Sequence, residues 1–408
     1  MGYPSISLPF LHALRIWRVC SSSYMASAQA DTVQPFSNQK LVLAAQIAFF
    51  PTGILTTILG PMLPLLIARW SLTDTQAGNL FLIQFLASLV GVQLSGLLLA
   101  RLGYKPSFLF GLLLMAVGAA TLYTASLWLG MASIAVYGLG LGLIVPTDNL
   151  LIAEISTGSR TGAVSLLNFF WGVGAVFCSL TVAWAAVHKV VPFFLGSVSL
   201  FLVLLAFATR SLPFPAAASS SDRAIPWREC LSNPIVWLFA AVFFLYPGAE
   251  TAVGGWIGSY VARLGATKIA PLMPAFFWSA LTAGRALGSI ALRHLPEQRV
   301  LRTGFAAASA GIALLLFANT LPGVIAGALI TGLSYATLYP ITVARFSQHF
   351  GVAARSIGAV MFSLASIGPA VIPWLVGVTS QATGSLRSGL LLPLGATIVL
   401  LLVHLREW

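Results

Sequence analysis

GLGLGLIVP, Gly138 to Pro146, and GLSYATLYP, Gly332 to Pro340, are one phrase written twice. Each runs from a glycine to a proline eight residues on through almost unbroken apolar sequence. GLLLARL at Gly96 to Leu102 is echoed by GSIALRHL at Gly288 to Leu295, and RTGAV at Arg160 to Val164 by RSIGAV at Arg355 to Val360. Any one pair could arise by chance in Gly- and Leu-rich sequence. Several pairs in the same order and at nearly constant spacing mark a duplicated unit. Such internal repeats characterise carriers that work by alternating access, with the substrate site where the repeats meet.

The solvent of this chain is hydrocarbon. Of 408 residues, 58% are apolar and 7% charged, against about 25% charged in a soluble domain. Backbone polar groups in lipid must be satisfied within the chain, so only helices or closed barrels span, and long apolar runs without alternation select helices. A spanning helix needs roughly 20 apolar residues. Twelve such runs are expected, near 41–67, 77–99, 107–127, 131–152, 162–187 and 191–208, then 235–261, 270–292, 300–317, 321–344, 357–378 and 386–403. The expected fold is an all-α membrane protein of about twelve transmembrane helices in two pseudo-symmetric six-helix bundles. Residues 40–209 form the first bundle and 235–408 the second. Residues 210–234, rich in Ser, Pro and Ala, read as a cytoplasmic linker. Residues 1–39 read as a disordered cytoplasmic leader, with Met25 an alternative start.

A net charge of +12 raises the question of nucleic acid, and its distribution answers it. With the amino end inside, the tails and even-numbered loops hold most of the bases, among them Arg101, Lys105, Arg210, Arg299 and Arg302. The odd-numbered loops hold only Arg69, Lys189, Arg263, Lys268 and Arg387. That asymmetry obeys the positive-inside rule and predicts both termini in the cytoplasm of a plasma (inner) membrane protein. Three cysteines at unrelated spacings and five histidines in loops or span ends give no metal site or disulfide framework. No phosphate-cradling loop accompanies them, so a gradient must drive transport, or it runs downhill. No cofactor is expected, and no nucleic-acid partner.

GLLLARLGYK, Gly96 to Lys105, between the second and third spans resembles the loop signature of the major facilitator superfamily, Gly-x3-Asp-Arg-x-Gly-x-Lys. Gly96, Arg101, Gly103 and Lys105 are kept, while Ala100 stands where the family places Asp. In the family that acid joins a cytoplasmic charge network holding one gating state, so its absence removes part of that latch and leaves Arg101 and Lys105. YPGAETAVGGWI, Tyr246 to Ile257, is similar to a seventh-span segment of fucose and glucose/galactose permeases. AGRALGS, Ala283 to Ser289, and Asn168 with Gly172 and Gly174 resemble their eighth and fifth spans. The resemblance implies uptake of a monosaccharide or polyol with a proton, by a monomer in the lipid bilayer.

On their own chemistry, charges at membrane depth are the informative residues, since each costs at least about 2.5 kcal/mol on insertion scales. Glu250, near the midplane of the seventh span, is the first choice for binding or coupling, and the preceding Pro247-Gly248 predicts a weakened helix. The bland alternative is a static ion pair with Arg285. Asp148 is either a coupling acid or a solvated residue at the cavity mouth, with Asn149 beside it. Glu154 predicts an interfacial salt bridge to Arg160. Asn168 and Trp171 share a helix face; with Trp256, Tyr335, Tyr339 and Gln46 they are candidate cavity residues, and packing is the alternative for each aromatic. Two other functions stay open: export of a drug, organic ion or metabolite by the same fold, and, remotely, an enzyme acting on lipid-linked substrates. The latter needs clustered acids or bases near one membrane face, which the chain lacks.

Overall fold

The computed structural model describes residues 39–156, 160–215, 233–291, 295–318, 320–350 and 354–405. The expected leader and most of the expected linker lie outside them. Eleven described helices are long and apolar enough to cross a membrane. Met273–Ala291, carrying Arg285, supplies the remaining span.

In chain order the spans are Gln39–Thr57 continued by Leu59–Trp70, then Asp74–Leu102, Tyr104–Thr121, Leu127–Ile155, Arg160–Val187 and Val191–Thr209. The second six are Pro234–Arg263, Met273–Ala291, Glu297–Phe317, Leu321–Tyr335 continued by Leu338–Phe350, Ala354–Thr383 and Leu386–Leu405. They are called spans 1 to 12 below.

Prolines explain both interruptions. Pro61 has no N–H for the Thr57 carbonyl, and span 1 breaks at Ile58. Pro340 likewise cannot serve Ala336, and span 10 breaks after Tyr335. Pro146, the counterpart of Pro340 in the repeat, leaves span 4 continuous. The break expected at Pro247-Gly248 does not occur either, for span 7 runs unbroken from Pro234 to Arg263. Gly248 instead permits close packing: a Cβ there would collide with the Gly368 carbonyl and the Ile372 side chain of span 11.

Within the first half, span 4 packs on spans 2 and 3, and span 1 on span 5. The last pair meets backbone to backbone. A Cβ on Gly53 would strike the Trp171 carbonyl, and one on Gly174 the Phe50 carbonyl. Small residues at such crossings let helices associate where lipid removes the hydrophobic drive. In the second half, span 7 packs on spans 11 and 12, and span 10 on spans 8 and 9. The halves meet along span 2 with span 11, span 5 with span 8, and span 1 with span 7.

Candidate functional site

A cavity of about 70 Å³ lies where the halves meet. Thr56 and Gly60 of span 1, Phe81 and Phe85 of span 2 and Trp171 of span 5 line it from the first half. Glu250, Thr251 and Gly254 of span 7 and Trp278 of span 8 line it from the second. Its wall is mostly apolar and aromatic with one carboxyl group, the usual make-up of a small-molecule site.

Glu250 does not form the static pair with Arg285. Its carboxyl contacts the Tyr246 hydroxyl one turn earlier on the same helix. That hydroxyl also lies 2.9 Å from the backbone carbonyl of Tyr335, the last residue before the break in span 10. A phenol has one proton to give, and a backbone carbonyl can only accept. Ionised Glu250 therefore claims the Tyr246 proton. Protonated Glu250 donates to the phenol oxygen and releases that proton to Tyr335. The Glu250 carboxyl keeps its hydrogen bond to Tyr246 in both protonation states, whereas the Tyr335 carbonyl receives the phenol proton only when Glu250 is protonated. Tyr335 and Tyr339 pack their rings 5.3 and 6.1 Å from that of Tyr246, and the Tyr335 hydroxyl pairs with Thr397 at 2.6 Å.

Arg285 makes no hydrogen bond or ion pair with a described residue; its guanidinium lies 5.2 Å from the Trp171 ring centre. Trp278 packs edge-on against the same indole, with ring centroids 5.5 Å apart. Asp148 is fully buried with neither oxygen partnered, which removes the reading of a solvated residue at the cavity mouth. Glu154 takes the Tyr104 hydroxyl at 2.5 Å; its expected partner Arg160 has a side chain outside the described residues. Arg101 is exposed, and Gly103, two residues on, adopts a left-handed φ of 77° to turn the chain into span 3. Neither Arg101 nor Lys105 forms an ion pair with a described residue.

Several expected cavity residues have other occupations. Trp256 is fully buried and donates its indole N–H to the Pro373 carbonyl at 3.0 Å, joining spans 7 and 11. Asn168 and Asn149 turn their amides onto their own helices, at Val164 and Val145. Gln46 is buried in span 1 outside the cavity lining.

One constellation carried no sequence signal. On the face of the odd-numbered loops, Arg263 at the end of span 7 forms an ion pair with Asp74 at the start of span 2, its Nη1 3.0 Å from Oδ2. Ser380 of span 11 donates to the same carboxylate at 2.5 Å, and Gln381 accepts from the Asp74 N–H at 3.1 Å. Beneath this cluster the backbones touch, Gly60 against the Gly254 carbonyl and Gly377 against that of Asp74. Toward the other face, span 2 passes from buried Leu80, Phe81 and Gln84 to exposed Gln93, Leu94 and Leu97. The halves are thus latched on the odd-loop face, and nearer the even-loop face Gln93 of span 2 reaches Ser363 of span 11 at 3.5 Å.

Twelve spans built on a repeat, with a cavity between halves closed at one face, is the architecture of a carrier. The sequence profile described as Major Facilitator Superfamily matches residues 46–373. The chain belongs to the major facilitator superfamily. A glucose/galactose transporter of Brucella abortus is 26% identical over 379 residues, 83% of this chain and 87% of its own length. The glucose/mannose transporter GlcP of Bacillus subtilis is 22% identical over 384 residues, 88% and 93% of the two chains. Bypass of stop codon protein 6 of Saccharomyces cerevisiae matches at 24% identity over 63% of this chain, which spans 58% of the yeast protein's length. Among solved structures, the Escherichia coli fucose:proton symporter FucP superposes with a TM-score of 0.63 at 18% identity, covering 90% of this chain and 98% of that one. The nucleoside transporter NupG superposes at 0.73 and 13% identity, covering 90% and 99%. This superfamily member is an integral membrane transporter, and the glucose/galactose and glucose/mannose proteins it resembles are transporters rather than enzymes.

Proposed function

We propose that this carrier takes up a monosaccharide or related polyol together with a proton, by alternating access, from outside a plasma (inner) membrane to the cytoplasm where both termini lie. The observation that carries this reading is the contact of Glu250 with Tyr246 and, through it, with Tyr335. A carboxyl on the cavity wall that keeps its hydrogen bond to Tyr246 with or without a proton can load and unload one per cycle. Its partner carbonyl stands at the break in span 10, so the proton's arrival is felt where that helix bends. Asp148, buried without a partner, is the second acid able to carry a proton. The relatives' names favour a sugar cargo, and Trp171 and Trp278 offer rings for its C–H face. In this orientation the Asp74–Arg263 latch closes the outer side.

Purified protein in proteoliposomes given labelled hexoses, pentoses and polyols, with and without an imposed inward proton gradient, tests the reading. Gradient-driven accumulation of at least one sugar is expected. No uptake of any sugar by folded protein would overturn the substrate class and turn attention to export cargoes.

A further inference from the structure

Three polar atoms on one face of span 8 are buried without a hydrogen-bond partner: the indole Nε1 of Trp278, the Oγ1 of Thr282 and the Nε of Arg285. Their spacing of four and three residues stacks them along the helix. Leaving a buried polar group unpaired is costly, so three in register call for a partner that offsets them. The face looks across the interface between halves. A Cβ on Gly172 of span 5 would meet Thr282, and the Trp171 indole beside it touches both Trp278 and the Arg285 guanidinium. It adjoins the cavity, which Trp278 and Trp171 line.

The chemistry of the three atoms restricts the ligand. Indole and guanidinium N–H groups only donate, and a hydroxyl can do so. Their partner must therefore be rich in acceptors. Among the described residues no carboxylate lies within ion-pair distance of Arg285: Glu250 acts on it only at longer range, its carboxyl being engaged by Tyr246. A guanidinium fork fits a carboxylate in two parallel hydrogen bonds. We infer that the unpartnered donor face of Trp278, Thr282 and Arg285 is a subsite for the carboxylate of an acidic sugar, so that the favoured cargo is a hexuronate or aldonate in preference to the neutral hexose. This rests on the sugar-carrier reading and narrows it. Glu250 and the aromatic rings hold the hydroxylated body, and Arg285 holds the acid end.

The test pairs glucose with glucuronate, which share a ring and differ at C6. Quenching of intrinsic tryptophan fluorescence in purified protein gives the two dissociation constants, and proteoliposome uptake gives the two transport rates. Glucuronate is expected to bind at least tenfold more tightly than glucose. That ratio should collapse toward one in Arg285→Gln and fall partway in Arg285→Lys, which keeps the charge and loses the fork. Glucose bound and carried as well as or better than glucuronate by wild type overturns the subsite and leaves the sugar carrier intact. A wild-type preference that survives in folded Arg285→Gln overturns the assignment to Arg285. Binding and uptake of neither compound overturns both readings together.

Discussion

At the scale of single residues, Glu250 and Tyr246 form the working pair. Tyr246→Phe removes the hydroxyl that serves both the carboxyl and the Tyr335 carbonyl. The expected cost is about 1–3 kcal/mol of stability, the penalty for stranding a buried acceptor, together with weakened gradient-driven accumulation. Thermal unfolding in detergent and uptake measure the two effects, and an unchanged melting temperature with full accumulation would refute the pairing. Charges at depth were legible in sequence because lipid makes them costly: Glu250, Asp148 and Arg285 stand out against apolar neighbours. What each charge touches was not legible. The alternative pairing of Arg285 with Glu250 rests on their spans being consecutive, yet an indole from the other half lies beside the guanidinium instead. Asp74 and Arg263 gave no signal, since charges at span ends are inexpensive and these two are far apart in the chain. Trp256 misled because helical spacing does not say which face meets the cavity and which meets span 11.

At the scale of elements, apolar run length gave the number of spans and placed most of their ends within a few residues, while the ends expected at 127, 344 and 378 fall five or six residues from the observed Thr121, Phe350 and Thr383. The bends were harder to read. Proline removes one hydrogen bond wherever it falls, but a neighbouring helix can hold the rod straight. Spans 4 and 7 stay continuous at Pro146 and Pro247, while spans 1 and 10 break ahead of Pro61 and Pro340. Glycines at the helix crossings act as packing devices, because backbone contact between helices admits no side chain. At the crossing of spans 1 and 5, Gly174→Val drives a branched side chain into the Phe50 carbonyl. Overpacking of this kind costs about 1–3 kcal/mol or more. The variant should melt several degrees below wild type, whereas Gly196→Val, where nothing lies near the added carbon, should not. Equal melting of the two would contradict the crossing.

At the scale of the whole molecule, the proposed alternating access has two halves rock about the cavity, with the interactions at each face deciding which way it opens. The cluster of Asp74, Arg263, Ser380 and Gln381 joins span 2 of one half to spans 7 and 11 of the other. Asp74→Asn or Arg263→Gln weakens that closure and should raise the population open on the odd-loop face. Spin labels at Ala125 and Lys268, in a background lacking Cys20, Cys178 and Cys230, should gain a longer-distance component in either variant. An unchanged distribution would deny the latch its role. The duplication and the position of the cavity between repeats follow from the sequence. Which face is closed does not, because that depends on side chains meeting across the interface.

Movement of protons with sugar is the property on which this account stands. In lightly buffered proteoliposome suspensions, adding a transported sugar should make the external medium alkaline in proportion to sugar entering. Glu250→Gln should abolish that pH change while still exchanging labelled sugar down its gradient. Sugar entry without alkalinisation in wild type, or alkalinisation undiminished in folded Glu250→Gln, would contradict Glu250 as the proton carrier.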